Sequence, residues 1–179
     1  MITGSSNPST AAARAKARKR NLIDRTRLRQ LIQQTPEQLA ISVADSGYRA
    51  EIDIYAAKHS GSDLIELALT QNLEKELLSV LKVCSGKLKV QVQIYAERFT
   101  YQNAKIVLRA ISTKATLEDI AHAVLPEENE CNTSWLNIIS NSDSLSEASE
   151  QMKQFSFAKA FAKLDADSSL SSYEDALDR

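Results

Sequence analysis

Histidine, cysteine and paired carboxylates are the side chains from which a catalytic or metal centre would be built, and in this chain they are few and scattered. The 179 residues hold two histidines, His59 and His122, and two cysteines, Cys84 and Cys131. Neither histidine has a second ligand at metal-binding spacing. His59 stands beside Gly61 at a helix end, where a cation suits the dipole, and His122 lies within a helix beside acids. Cys84 falls on an apolar helical stripe and reads as a buried thiol, in keeping with a reducing compartment. The carboxylate pairs Glu127/Glu128 and Asp165/Asp167 lie in loops, without the apolar enclosure that raises a carboxyl pKa for acid–base work. Serines cluster at 140–149 and 168–172, where they read as caps and linkers. The sequence has no glycine-rich phosphate loop, Gly-x-Ser-x-Gly elbow or CxxC pair. The expectation is a non-catalytic chain without catalytic residues, cofactor or metal.

Charge is the sharper signal. Residues 1–30 carry eight Lys or Arg against Asp24 alone, a net +7; residues 31–111 balance; residues 112–179 carry a net −8. Such asymmetry predicts different partners for the two ends, or contact between them. On a continuous first helix, Arg14, Arg18, Arg25 and Arg29 share one face, a partner interface that could take phosphate, RNA, anionic lipid or an acidic protein. No aromatic residue interleaves with these arginines, which leaves base stacking without support. Nucleic acid is therefore not expected. No apolar run reaches the roughly 18–20 residues that cross a bilayer, so membrane contact is expected only through a partner.

The elements that must carry these residues are helical. Four glycines and three prolines are too few for the turns of a sheet protein this long. The breakers and caps predict helices at about 9–33, 36–45, 48–58, 62–84, 87–111, 117–124, 133–140, 145–153, 156–164 and from 172 onward. Capping signals open three of them, at Thr35-Pro36-Glu37-Gln38, Thr116-Leu117-Glu118-Asp119 and Ser144-Leu145-Ser146-Glu147. In the first long helix the apolar line is Ile65, Leu69, Leu73, Leu77, Val80, Leu81 and Cys84. In the second it is Leu88, Val92, Tyr95, Ala96, Phe99, Asn103, Ile106 and Ala110, with another through Val90, Ile94, Tyr101 and Leu108. With only Ser85-Gly86 between them, the two are expected to form an antiparallel pair. Asn103 interrupts its stripe and is expected to be a buried amide tied to neighbouring backbone.

A segment near the N-terminus recurs. Thr35–Val43 aligns with Ser144–Met152 at an offset of 109, bringing Gln38 onto Glu147, Val43 onto Met152, Tyr48 onto Phe157 and Ile52 onto Phe161. With one residue dropped, Ile65–Leu69 aligns with Tyr173–Leu177. The expected organisation is a first helical repeat unit over 1–112 with its basic N-terminal helix, then connecting helices and the truncated start of a second unit over 113–179. The chain is expected to be a truncated product or a fragment.

These residues resemble a known family. Phe99-Thr100-Tyr101-Gln102-Asn103-Ala104-Lys105-Ile106-Val107-Leu108-Arg109-Ala110 is similar to the aromatic-Asp-x-x-Asn-x-Lys-x-x-Leu-Arg helix of the C subunit of archaeal-type (A/V-type) rotary ATP synthases, a family that includes the d subunit of the vacuolar proton pump. Ala13–Leu22 resembles its N-terminal Asn-Ala-Arg-x-Arg-Ala-x-x-x-x-Leu-Leu, and Ala44-Asp45-Ser46-Gly47-Tyr48 its small-residue-Tyr turn. Tyr173–Asp178 resembles the start of the corresponding helix in the next unit. Thr100 stands where the family usually has Asp, and Ala11 or Ala12 where it has Asn. The resemblance implies an all-α fold of repeated helical units, funnel-like, with Tyr48, Phe99, Asn103, Lys105, Leu108 and Arg109 as structural motif residues. It further implies a non-catalytic central-stalk connector on the cytoplasmic face of the membrane, held between the central shaft subunits and the membrane rotor ring, in proton- or sodium-linked ATP synthesis or hydrolysis. A helical repeat scaffold and an RNA- or lipid-binding helical protein are the alternative readings.

Overall fold

The computed structural model describes residues 5–179, and every regular element among them is helical. The helices are α1 (Pro8–Lys19), α2 (Arg25–Leu31), α3 (Pro36–Val43), α4 (Arg49–Tyr55), α5 (Gly61–Val83), α6 (Gly86–Thr113), α7 (Leu117–Ala121), α8 (Thr133–Ser140), α9 (Leu145–Gln151), α10 (Ala158–Phe161) and α11 (Leu170–Asp178).

Local chemistry explains most of these boundaries. Thr35 accepts from the Gln38 N–H while the Gln38 side chain accepts from the Thr35 N–H, a reciprocal box that opens α3. Thr116 and Asp119 do the same for α7. Ser144 caps α9 through the Glu147 N–H, but the Glu147 carboxylate turns one residue further out, to the Asp143 N–H. The continuous helix expected over 9–33 is broken. Asp24 is extended and accepts from the Arg27 N–H at 2.8 Å, so it starts a new helix after the turn at residues 20–23. Between α3 and α4, residues 44–48 form one wide π turn in which Gly47 has φ +107°, a conformation side chains with a Cβ rarely adopt.

The chain divides into two compact units, one ending at Ala96 and the other beginning at Glu97. In the first unit α5 packs on α3 and α4, with Val43, Ile52, Tyr55, Leu64 and Leu67 buried. Within this unit the turns of α6 do not pack along α5, in place of the antiparallel pairing expected from the short linker. Cys84 is extended and Gly86 has φ +56°, and Val90, Ile94 and Tyr95 are exposed. The helix that runs back along α5 is α1. Asn7 exchanges hydrogen bonds with the Val83 carbonyl and the Ser85 N–H, and eleven residues on Arg18 meets Ser79 and Glu76. The α5 stripe also differs from expectation, since Leu69 and Leu73 are 37% and 47% exposed.

In the second unit the buried line of α6 is Ala104, Val107, Leu108, Ala110 and Ile111, which packs with Trp135, Met152, Phe157, Phe161 and Tyr173. This half of α6 was expected in a first unit ending at 112; its apolar side instead belongs to the second core. Aromatic rings run through that core in offset and edge-on contacts: Trp135–Phe155 at 4.3 Å, Phe157–Phe161 at 5.6 Å and Phe161–Tyr173 at 5.3 Å between centroids.

The repeat is visible in the helices. α3, α4 and α5 begin at Pro36, Arg49 and Gly61, and α9, α10 and α11 begin at Leu145, Ala158 and Leu170, 109 positions later in each case. Burial keeps the same register. Val43 and Met152, Ile52 and Phe161, Leu64 and Tyr173, and Ala68 and Leu177 are all buried pairs. The dropped residue expected in the last helix is therefore absent, because that shift would match buried Leu177 with exposed Leu69.

Candidate functional site

Two arrangements of polar side chains stand out, one in each unit. In the first unit a cleft of about 970 Å³ opens between the α1–α2 turn, the π turn and α5. Glu51, on α4, is its most enclosed charge, with a side chain only 4% exposed. One of its oxygens accepts from Lys75 Nζ at 2.8 Å and from Asn72 Nδ2 at 3.3 Å. Burial pushes the Glu51 carboxyl up, but the hydrogen bonds from Lys75 and Asn72 outweigh it and hold its pKa below the ordinary value. Lys75 is held above its ordinary value by the same contact. Tyr48 is half-buried at the start of α4, and burial, followed by the charges of Glu51 and Glu76, raises its hydroxyl pKa. Arg18 reaches over from α1 to Glu76 at 3.4 Å and to the Ser79 hydroxyl. Such a network fixes α1, α4 and α5 to one another; it has no nucleophile placed beside a base.

The four arginines expected on one face are not together. Arg14 and Arg18 lie on α1, Arg25 and Arg29 on α2, and the turn capped by Asp24 separates the two pairs. Arg14, Arg25 and Arg29 are exposed, whereas Arg18 is half-buried in its ion pair.

In the second unit the motif residues of α6 fall on two sides. Leu108 is fully buried. Lys105 and Arg109, one turn apart, pair with Asp178 (2.6 Å) and Glu174, one turn apart on α11. Because the lower number on α6 meets the higher number on α11, the two helices run in opposite directions there. Phe99 is half-buried, with the Arg98 guanidinium 4.7 Å from its ring centre. Asn103 is half-buried, not buried as expected, and its amide makes no hydrogen bond within the described chain. The reason is the phase of the helix: the core line passes through Ala104 and Val107, beside Asn103 and not through it. Glu174 and Asp178 were not expected as partners, although two acids one turn apart opposite two bases one turn apart is a legible signal. Glu51 was not expected either, an acid set between the apolar positions Tyr48, Ile52 and Tyr55. His122, expected within a helix, is the C-terminal cap of α7. Among the described residues no three His, Cys, Asp or Glu side chains converge as metal ligands, and no helix is long and apolar enough to cross a membrane.

Ion-paired helices around two apolar cores define the class of the protein as all-helical. Residues 11–179 match the ATP synthase (C/AC39) subunit family, and the chain belongs to it. The chain is similar to the C subunits of the A-type ATP synthases of three haloarchaea. Identity is 33% over 152 residues with that of Haloquadratum walsbyi, covering 85% of this chain and 44% of the relative. It is 35% over 118 residues with that of Haloferax volcanii, covering 66% and 34%. It is 28% over 181 residues with that of Halobacterium salinarum, covering 99% and 51%. The chain thus spans about half or less of the length of these relatives. No solved structure matches it.

Proposed function

We propose that this chain is a non-catalytic connector in the central stalk of an A-type ATP synthase, coupling the rotating shaft to the membrane rotor ring. The observation that carries the reading is the family match across residues 11–179, which leaves only the first ten positions outside it. Relatives named as the C subunit of the A-type enzyme support it. The physical character of the chain is compatible with a load-bearing part. Interhelical ion pairs such as Lys105–Asp178 and Lys75–Glu51 resist sliding between helices. On this reading its partners are the shaft subunits and the rotor ring, it sits at the cytoplasmic face of the membrane, and it meets the membrane only through those partners.

The test is a pull-down with tagged chain from detergent-solubilised membranes of the source organism. Co-elution of shaft or ring subunits is expected. Recovery of nucleic acid, or of an unrelated soluble assembly in their place, would overturn the proposal.

A further inference from the structure

The α2 helix presents an unusual outer side. Arg25, Leu28, Arg29 and Ile32 follow one another at three-, one- and three-residue steps, so all four lie on one stripe, and all four are exposed. Leu28 is 46% exposed and Ile32 80%, and Leu22 in the preceding turn is 62% exposed. Leu31, turned away from this stripe, is buried and anchors the helix. Asp24 is the one acid in the first thirty residues, and its carboxylate is engaged as the cap of α2. The two arginines of the stripe therefore face solvent with no acid of their own segment left to pair with.

We infer that this stripe is a docking surface for a partner protein's helix that carries acids one turn apart beside an apolar line. This names the chemistry of a partner for the connector proposed above and rests on that reading only for which protein supplies it. The molecule already shows the complementary mode once, within its second unit. There Lys105 and Arg109 on α6 meet Asp178 and Glu174 on α11, with Leu108 and Leu177 buried in the same core. Arg25 and Arg29 have the same one-turn spacing with Leu28 and Ile32 beside them, so they fit the same kind of acidic counterpart. Arginine and large apolar side chains together make the energetic centre of protein interfaces, since the guanidinium can hold a carboxylate in two parallel bonds while its neighbours exclude water.

Two other occupants fit less well. A helix that lies in a lipid surface keeps its apolar residues on one side and its bases on the other; here Arg25 and Ile32, seven residues apart, project in nearly the same direction, and inserting the isoleucine would drag that arginine's charge toward hydrocarbon. Phosphate backbones would use the arginines but leave an isoleucine 80% exposed without purpose, and the stripe has no aromatic ring for a base.

The experiment places the photo-crosslinker p-benzoylphenylalanine at Ile32 of the full chain, with a control at exposed Glu118, and irradiates it with detergent-solubilised membranes of the source organism. The expected adduct at Ile32 is a peptide with two or more acids at i, i+4 spacing, and Arg25→Glu with Arg29→Glu lowers its yield at least tenfold while circular dichroism stays unchanged. An adduct with lipid or RNA, an adduct with a neutral or basic peptide, a yield no higher than at Glu118, or a yield unaffected by charge reversal each overturns the inference. The two readings fail separately. Co-elution of ATP synthase subunits without the Ile32 adduct removes the docking surface and keeps the connector. An acidic-helix adduct from a protein outside any rotary ATPase keeps the surface and removes the connector.

Discussion

Arg109 on α6 donates from Nε to Glu174 on α11, one turn along from the Lys105–Asp178 pair, so the α6–α11 contact is bracketed by two ion pairs of the same polarity. Both bases lie on α6 and both acids on α11. A one-turn slip of either helix would leave one member of each kind unpaired, which gives the contact a fixed register. That register, not the burial of the charges, is what these residues contribute.

A double-mutant cycle of Arg109→Ala and Glu174→Ala should give a coupling energy of about 0.5–1 kcal/mol, the scale of a half-exposed ion pair. Chemical denaturation at low and high salt checks it. The coupling should shrink at 1 M salt, where the screening length falls to about 3 Å; one that grew with salt would contradict the assignment.

Glu51 should make the first unit sensitive to acid. Its folded pKa lies below the ordinary value of 4.5, so folding takes place with the carboxylate charged. The stability it contributes is present above 4.5 and disappears as pH falls through the lower folded value. Glu51→Gln should cost about 1–3 kcal/mol at pH 7, as expected for hydrogen bonds to a charged group. Urea titrations of both proteins at pH 7 and pH 3 should show the gap closing in acid; a gap that widens there would refute the account.

Leu108→Ala and Asn103→Leu test the phase of α6. Removing the fully buried Leu108 side chain should cost about 2–5 kcal/mol. Asn103→Leu should change stability by less than about 1 kcal/mol, because the amide has no partner to strand. Equal thermal shifts would place the core line on the wrong side of the helix.

Gly47→Ala isolates backbone strain. A Cβ at this position meets nothing within 4 Å, so crowding cannot explain a loss. The φ of +107° alone should cost about 1–2 kcal/mol. Gly47→Asn should cost less, since asparagine tolerates left-handed conformations better than alanine. Thermal denaturation of the two variants side by side checks the order.

The helices themselves were legible in the sequence because their ends carry local chemistry. Thr35-Gln38 and Thr116-Asp119 satisfy their own amides, and no distant residue is needed to place α3 or α7. The phase and pairing of the long helices were less legible for the opposite reason. Apolar residues occupy more than one side of α5 and α6, so periodicity alone offered several stripes, and the choice between Asn103 and Ala104 as a core position depends on which neighbour arrives. The short linker Ser85-Gly86 suggested a hairpin, but linker length sets only what chain closure permits. Asn7, which holds α1 against the end of α5 through two hydrogen bonds, could not be linked to Val83 and Ser85 from seventy-six residues away. As for the site, Lys105 and Arg109 were singled out as motif residues by the family resemblance; their acids stood at the far end of the chain.

The unbroken 109-residue register makes one half of the chain a control for the other. Several buried positions agree, as at Ile52 and Phe161, whereas the places of the ion-pairing Glu174 and Asp178 are taken in the first copy by buried Ile65 and exposed Leu69. The shared helix register is thus filled there by apolar side chains in the first copy and by ion pairs to α6 in the second. Comparing the copies separates, within a single molecule, the residues that make a scaffold from those that give it an address.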